Sequence, residues 1–498
     1  MCWKNWNSQN PDILLGKRQK IALFYGVSAL FIFLNIFFLV KRETLLAAAL
    51  PFALLVVLLA FYRLNWLLLL ITFCTPLSLP LSELFPNLPF DMFLPTEPML
   101  VGVMVLFLFK LIETGGMERD IVKHPVSIAI YFYLGWMLIT SFTSTMPVVS
   151  LKFWLSKIWF IAAFYFFGIY LFRDFKNIYR FVGLYAGAFI LVIFYAWSRH
   201  FGYGFHNDQA AHFVMNPFYK DHTSYGAMLA FFVPFLTGLS FSKHIKPNYR
   251  LLAFAGLVLF LAALVLSYSR AAWLSLIAAL GIWLIFKLKI RFRPLFITLV
   301  TLITFTVLFQ SQILMFLERN DQESSADLAT HLSSMTNISS DASNLERINR
   351  WNCAVRMFEE KPVFGWGPGT YMFNYASFQL TRLRTIISTN SADRGNAHSE
   401  YLGPLAESGV LGLLSFLVLL GVVFYVAVHV YMRTDKAEIK LIVLSSVIGL
   451  STYFLHGFLN NFLDTDKASI PFWGFVGMIV MLDIYTRKQL VENSSEEE

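Results

Sequence analysis

An all-α polytopic membrane protein is the fold class that this 498-residue sequence predicts. Three observations carry it. Hydrophobic residues make up 57% of the chain and charged residues only 14%, where soluble domains carry about a quarter charged. The apolar residues fall in runs of about 17–25, long enough to cross ~30 Å of hydrocarbon as helices. Those runs are continuous rather than alternating with period two, which excludes a membrane barrel.

In chain order the spans fall at 20–40, 44–62, 64–80, 97–113, 124–143, 153–172 and 178–198. They continue at 223–241, 250–268, 271–288, 294–312, 408–431, 439–457 and 469–486, about fourteen in all (12–14). Lys17, Arg18 and Lys20 precede the first run, and no small-residue cleavage site follows it, so it reads as a retained span. Placing the N-terminus in the cytoplasm puts more than half of the 39 Lys and Arg in short loops on that side, with Lys41-Arg42 the exception. Both termini are then cytoplasmic. Residues 1–312 hold the first set of spans, with a short outer loop at 199–222. Residues 313–404 form one large, partly helical extracytoplasmic loop, 405–486 the remaining spans, and 487–498 a cytoplasmic tail. The net charge of +8 fits this topology and anionic headgroups better than nucleic acid. Cys2, Cys74 and Cys353 show no metal spacing, and only Cys353 lies in the long loop, so no disulfide forms within it.

Within that loop, Glu318 to Asp341 is rich in Ser and acids and reads as mobile. Ser343-Asn344-Leu345-Glu346 is a capping box that opens a helix. Leu345, Ile348, Trp351, Val355 and Phe358 follow one face of it, with Arg347 and Arg350 displaced from that face. Pro362 ends it, and Gly365-Trp366-Gly367-Pro368-Gly369 forms a turn that admits close backbone approach.

Chemistry has few places to live in such a chain. His398 closes the long polar segment just before an apolar run. An imidazole titrating near neutrality suits a general base, and equally suits an interfacial histidine that caps the next helix. Arg270, in Ser267-Tyr268-Ser269-Arg270-Ala271-Ala272-Trp273, sits between two spans at the outer face with no acid nearby in sequence. It is either a phosphate-gripping guanidinium or a snorkelling anchor. Arg347 and Arg350 are one helical turn apart and fit substrate contact or a solvated face. His222, opening a span from outside, is a candidate for binding acceptor or carrier. Lys152 and Lys157 add positive potential at the outer start of a span, or anchor it. Asp464-Thr465-Asp466 lacks the Gly-rich or basic context of a metal-diphosphate site, so no metal is expected, and no phosphate-binding Gly-x4-Gly-Lys loop implies ATP. The spans are nearly free of ionisable residues, with Asp483 near a cytoplasmic end. That speaks against an ion-coupled transporter or flippase. A receptor without catalysis would leave the cationic outer residues unexplained.

His398-Ser399, nine residues, then Gly409-Val410-Leu411-Gly412, with Glu407 before the first glycine, resembles the signature of the O-antigen ligase and polymerase family. Ser269-Arg270-Ala271-Ala272-Trp273 resembles that family's Ser-Arg-Gly-Ala-Trp segment, with Ala271 in place of Gly. Arg347-x-x-Arg350-Trp351 and the Pro362 to Gly369 stretch resemble its long loop, and Asp221 to Gly226 resembles its shorter one less specifically. The acid-rich insert at 318–341 is a departure. The resemblance implies a glycosyltransferase of the bacterial inner membrane that works on the extracytoplasmic face without metal or cofactor and inverts the anomeric centre. It implies His398 and Arg270 as catalytic, and Arg347, Arg350, His222, Lys152, Lys157 and Glu407 as substrate-binding. Gly367, Gly369, Gly409 and Gly412 are expected to be structural, the last two as small residues that let helices pack closely. The implied donor is an undecaprenyl diphosphate-linked glycan, and the implied acceptor is lipid A-core or a growing glycan. Ligases, repeat-unit polymerases and protein O-glycan transferases share these motifs.

Overall fold

The computed structural model describes residues 17–42, 50–85, 91–288, 301, 342–384, 388 and 395–496, in two compact units, 1–67 and 68–498. In the first, α1 (Lys17–Arg42) is apolar between basic residues at its two ends, and α2 (Leu50–Tyr62) is apolar throughout. Phe33, Leu39, Leu54 and Phe61 of these helices are exposed, a surface suited to lipid rather than water. A third helix, α3 (Leu64–Cys74), begins in this unit and runs into the next.

The second unit is a helical bundle. It comprises α4 (Thr96–Thr114), α5 (Pro125–Phe142), α6 (Pro147–Phe172), α7 (Phe175–Tyr203), α8 (His222–Phe241), α9 (Pro247–Leu266) and α10 (Arg270–Lys287). After them come α11 (Ala342–Glu360), α12 (Leu402–Arg433), α13 (Ala437–His456) and α14 (Asp466–Glu496). Proline stands at the start of α5, α6 and α9, where its missing N–H costs nothing. The Asp174 and Asp221 carboxylates cap α7 and α8 by accepting from Lys176 N and Ser224 N.

Among the described residues nine helices are long and apolar enough to cross a membrane, α5 to α10 and α12 to α14. The expected spans at 44–62 and 64–80 are shorter apolar helices. The one at 97–113, within α4, carries Glu97, Lys110 and Glu113. The run at 294–312 and the insert at 318–341 lie outside the described residues. Residues 487–496 continue α14 rather than forming a separate tail.

α14 forms the centre of the bundle, with 89% of its apolar stretch buried, while α10 is at the rim with 22%. Gly477 of α14 sits against the Phe164 carbonyl, where α6 widens into a π turn at Ile161–Phe166. Phe231, Phe232 and Phe235 of α8 surround Phe475. The bundle has two chemically distinct ends. At one, the buried Asp483 carboxylate accepts from Arg433 and pairs with Arg487 and His124. At the other, the glycine turn after α11 packs on the connection 143–146, and Glu400 binds the connection 457–465.

Buried ionisable groups are more numerous than the sequence suggested: Glu97, Lys157, Asp466, Lys467 and Asp483 are all buried. Each is tied locally. Lys467 Nζ, for example, donates to the carbonyls of Thr75 and Ser78 and to Ser78 Oγ. Such satisfaction is what makes an interior charge tolerable.

The buried face of α11 lies nearly opposite the predicted one, and Val355 is exposed. The buried stripe is Glu346, Asn349, Arg350, Cys353, Ala354 and Met357. The helical period is as expected; its phase is not, because the polar members satisfy one another. Arg350 Nε donates to Glu346 at 2.6 Å, and Asn349 donates to Gln379 at 3.0 Å. Cys353, Ala354, Met357, Tyr371, Tyr375, Ala397 and Ala406 then form a small core that joins the loop to the bundle.

Candidate functional site

The residues after α11 are fastened to an opened turn of α12. Gly409 takes φ +70 and ψ −167 inside that helix, freeing main-chain groups that the glycine turn satisfies. Trp366 N and Gly367 N donate to the Ala406 and Glu407 carbonyls at 3.1 and 2.8 Å, and Val410 N donates to Pro362 O at 2.9 Å. A Cβ on Gly409 would lie 2.1 Å from Val363 O, and one on Gly367 would lie 1.9 Å from Ser144 Oγ. Gly409 is therefore a backbone break at positive φ. It is not the helix-packing residue that the sequence suggested. Gly412 also serves its own helix, since a Cβ there would meet Ser408 Cβ at 2.4 Å and Pro404 O at 2.8 Å.

The segment 395–401 crosses this junction. Its anchor is Glu400, whose Oε1 accepts from Phe462 N at 2.7 Å, Leu463 N at 2.9 Å and the Tyr453 hydroxyl. Glu400 N donates to Gly457 O at 2.8 Å. Burial and the nearby Asp464 raise the Glu400 carboxyl above its ordinary range. Ser399 Oγ accepts from Tyr401 N and Leu402 N, which starts α12. His398 is held between them at φ +47, with its N–H donated to Asn396 Oδ1 and its carbonyl accepting from Trp351 Nε1.

Tyr268 (φ +51) and His398 have positive φ, alone among the non-glycine residues described. Such backbone is costly outside glycine and gathers at functional sites. Tyr268 is two residues before Arg270. Its hydroxyl donates to Phe205 O at 3.1 Å, and Trp273 Nε1 donates to Leu264 O at 2.7 Å, so both sides of the Arg270 turn are tied down. Ser269 packs against Gly226, one turn into α8 from His222. Arg270 itself is exposed.

On the His398 imidazole the structure brings to bear groups from two other stretches of chain, α11 and the start of α8. Burial and the Arg347 and Arg350 guanidinium groups push its pKa down to about 4, opposed by Asp221 and Glu346. The ring is therefore a neutral base at pH 7. Burial would raise Asp221, but hydrogen bonds from Ser224 N and Thr223 hold its carboxyl below the usual range. His222 stacks on His212 with ring centroids 4.0 Å apart. His456, at the end of α13, lies within electrostatic reach of Arg347, Asp221 and His222 and against the Ala271 main chain. The sequence reading passed over His456. The signal that singled out His398, a histidine at the junction of a polar stretch and an apolar span, was present there too, in His456-Gly457 before Asn460-Asn461.

Other expected residues lie elsewhere. Arg350 is buried, with its guanidinium 4.1 Å from the Tyr375 ring centroid, and so shapes the field at His398 from inside the loop core. Lys152 is exposed. Lys157 is buried and donates to Leu463 O at 2.8 Å and Asp464 Oδ1 at 2.7 Å. The paired aspartates diverge: Asp464 faces Lys157, while Asp466 is buried and accepts from Ser78 and Thr96 hydroxyls. Lys157 and Glu407 line a separate cavity of about 330 Å³, with Tyr133, Glu400, Asn461 and Asp464. Asn396, Ala397 and Ser399 also line it, and His398 does not.

Residues 255–417 match the family model described as O-Antigen ligase. The match covers Arg270, Arg347, His398, Glu407, Gly409 and Gly412. A relative of Haemophilus influenzae (strain Rd), an uncharacterized protein, is 24% identical over 232 residues, covering 45% of this chain and 56% of the relative. The chain thus spans about half the length of that relative.

Proposed function

With residues 255–417 in the O-antigen ligase family, we propose that the protein is a membrane glycosyltransferase. It moves a glycan from a polyprenyl diphosphate carrier to an acceptor hydroxyl, at the extracytoplasmic face of a bacterial inner membrane. The observation that carries this reading is the buried His398 imidazole, kept neutral by burial and by Arg347 and Arg350, at the end of the bundle where His456 meets both Arg347 and the turn that bears Arg270. His398 accepts the acceptor's hydroxyl proton as its oxygen attacks the anomeric carbon from the face opposite the diphosphate. The new carbon–oxygen bond forms as the bond to the diphosphate oxygen breaks, which inverts the centre. Arg270 and Arg347 stabilise the charge that collects on the leaving diphosphate. His222 and His456 lie near one another and near Arg347 or Asp221.

In nanodiscs with a carrier-linked glycan and a lipid A-core acceptor, His398→Ala is expected to lower transfer by about 10²–10⁴, with the melting temperature unchanged. Transfer near the wild-type rate would contradict the reading. Lipopolysaccharide from a deletion strain separates the two acceptors. Loss of all long glycan marks a ligase, and a single-repeat band marks a polymerase.

A further inference from the structure

The cavity of about 330 Å³ has no role in the steps above. It lies across the 396–400 segment from the imidazole, since four of those five residues line it and His398 does not. Its volume is at the lower end of the ~300–1,000 Å³ typical of small-molecule sites.

Its charge decides what it can take. Glu400, Glu407 and Asp464 face a single ammonium, Lys157. That ammonium is already engaged by Asp464 Oδ1 and the Leu463 carbonyl, with the Phe153 ring 4.7 Å away. Even with Glu400 protonated the lining carries no excess of positive charge. A diphosphate there would meet carboxylates at close range and low dielectric, which is strongly unfavourable. The remaining groups suit a polyol. Asn461 Oδ1 is buried and has no hydrogen-bond partner, so it is an acceptor waiting for a donor. A buried acceptor left unmet costs about 1–3 kcal/mol. Glu407 Oε1 accepts from Tyr371 N at 2.9 Å, which fixes its carboxylate while leaving it capacity for a hydroxyl. Tyr133, Phe153 and Tyr371 supply flat apolar faces.

We infer that this cavity is a saccharide subsite that holds one neutral sugar unit of the glycan and excludes the diphosphate. Sugar hydroxyls donate to Asn461, Glu407 and Asp464, and the ring lies on the aromatic wall. The inference rests on the glycan-transfer reading for the source of the sugar, but its geometry is independent of His398.

The test uses the full-length protein in nanodiscs and ligand-observed NMR. The probes are the methyl glycosides of N-acetylglucosamine, mannose and galactose, with inorganic pyrophosphate as the contrasting anion. Met372→Trp fills the cavity from the loop side, and Asn461→Leu removes the unmet acceptor. At least one glycoside is expected to saturate the wild type, and each variant to weaken it tenfold or more, with pyrophosphate binding unchanged as the control for folding. Three results would overturn the subsite: no glycoside binds, both variants bind it as the wild type does, or pyrophosphate competes for the same cavity. The transfer reading fails separately. If the wild type transfers no glycan but binds a glycoside that Met372→Trp excludes, the subsite stands and the transferase does not. If Met372→Trp transfers with unaltered KM, the subsite falls and the transferase stands.

Discussion

The two sides of the 396–400 segment are built from opposite electrostatics. On the imidazole side, His398 lies within the field of Arg347 and Arg350, opposed by Asp221 and Glu346, with Asp221 held by its helix-capping bonds. On the other side, carboxylates outnumber the lone ammonium in the cavity. On the proposed function, this short segment, bent at His398, would separate, as a wall, a side suited to phosphate from one that repels it. A carrier-linked glycan has the same two chemistries joined by one bond, an anionic diphosphate and a neutral sugar. The contrast teaches that Lys157 and Glu407, close in sequence or space to the signature residues, need not share their ligand.

Removing the hinge of the wall should have the largest effect. Gly409→Val places a β-branched side chain at positive φ and against Val363 O. It should cost about 3–4 kcal/mol, seen as a large drop in the thermal midpoint and faster tryptic cleavage near α11. A variant as stable as wild type would mean that the opened turn of α12 does not hold the loop. Next is the anchor of the wall. Glu400→Ala leaves Phe462 N, Leu463 N and the Tyr453 hydroxyl without their acceptor. The expected cost is ~1–3 kcal/mol. Glu400→Gln, which keeps an accepting oxygen, should lose much less. Equal losses would show that charge, rather than the hydrogen bonds, matters there.

The smallest change sharpens the electrostatic half of the comparison. Arg347 is a like charge beside the imidazole, so removing it raises the His398 pKa from about 4 toward the ordinary 6.5. The unprotonated base is present above its pKa and lost below it. The acidic limb of the pH–rate profile for Arg347→Gln should therefore move upward by up to ~1 unit. An unmoved or lowered limb would remove Arg347 from the field at His398.

Much of this was legible in the chain. The apolar runs gave the helical bundle because length and continuity report membrane crossing directly. His398, Arg270 and Arg347 stood out because polar residues at the ends of apolar helices have few structural reasons to be there, and the structure brings all three to one end of the bundle. The phase of α11 was misread because Glu346, Asn349 and Arg350 look solvent-facing one by one and are buried only as a bonded set. The breaking of α12 at Gly409 was hidden for a related reason. A glycine pair three apart reads as a packing motif, and only the turn at 362–367 that bonds to it shows that it is a gap in the helix. His456 carried the same local signal as His398 and was passed over, whereas the acidic cavity depends on contacts between residues distant in sequence, which no local pattern reports.

The division of labour between the two compartments is tested most directly by the affinity of farnesyl diphosphate, a short carrier mimic, for four proteins in nanodiscs: wild type, Arg270→Gln, Arg347→Gln and Lys157→Met. The account predicts that each arginine variant weakens binding about tenfold or more, the loss of one charge-assisted pair, while Lys157→Met binds as wild type does. Weakening by Lys157→Met with both arginine variants unaffected would place the diphosphate in the acidic cavity and contradict it.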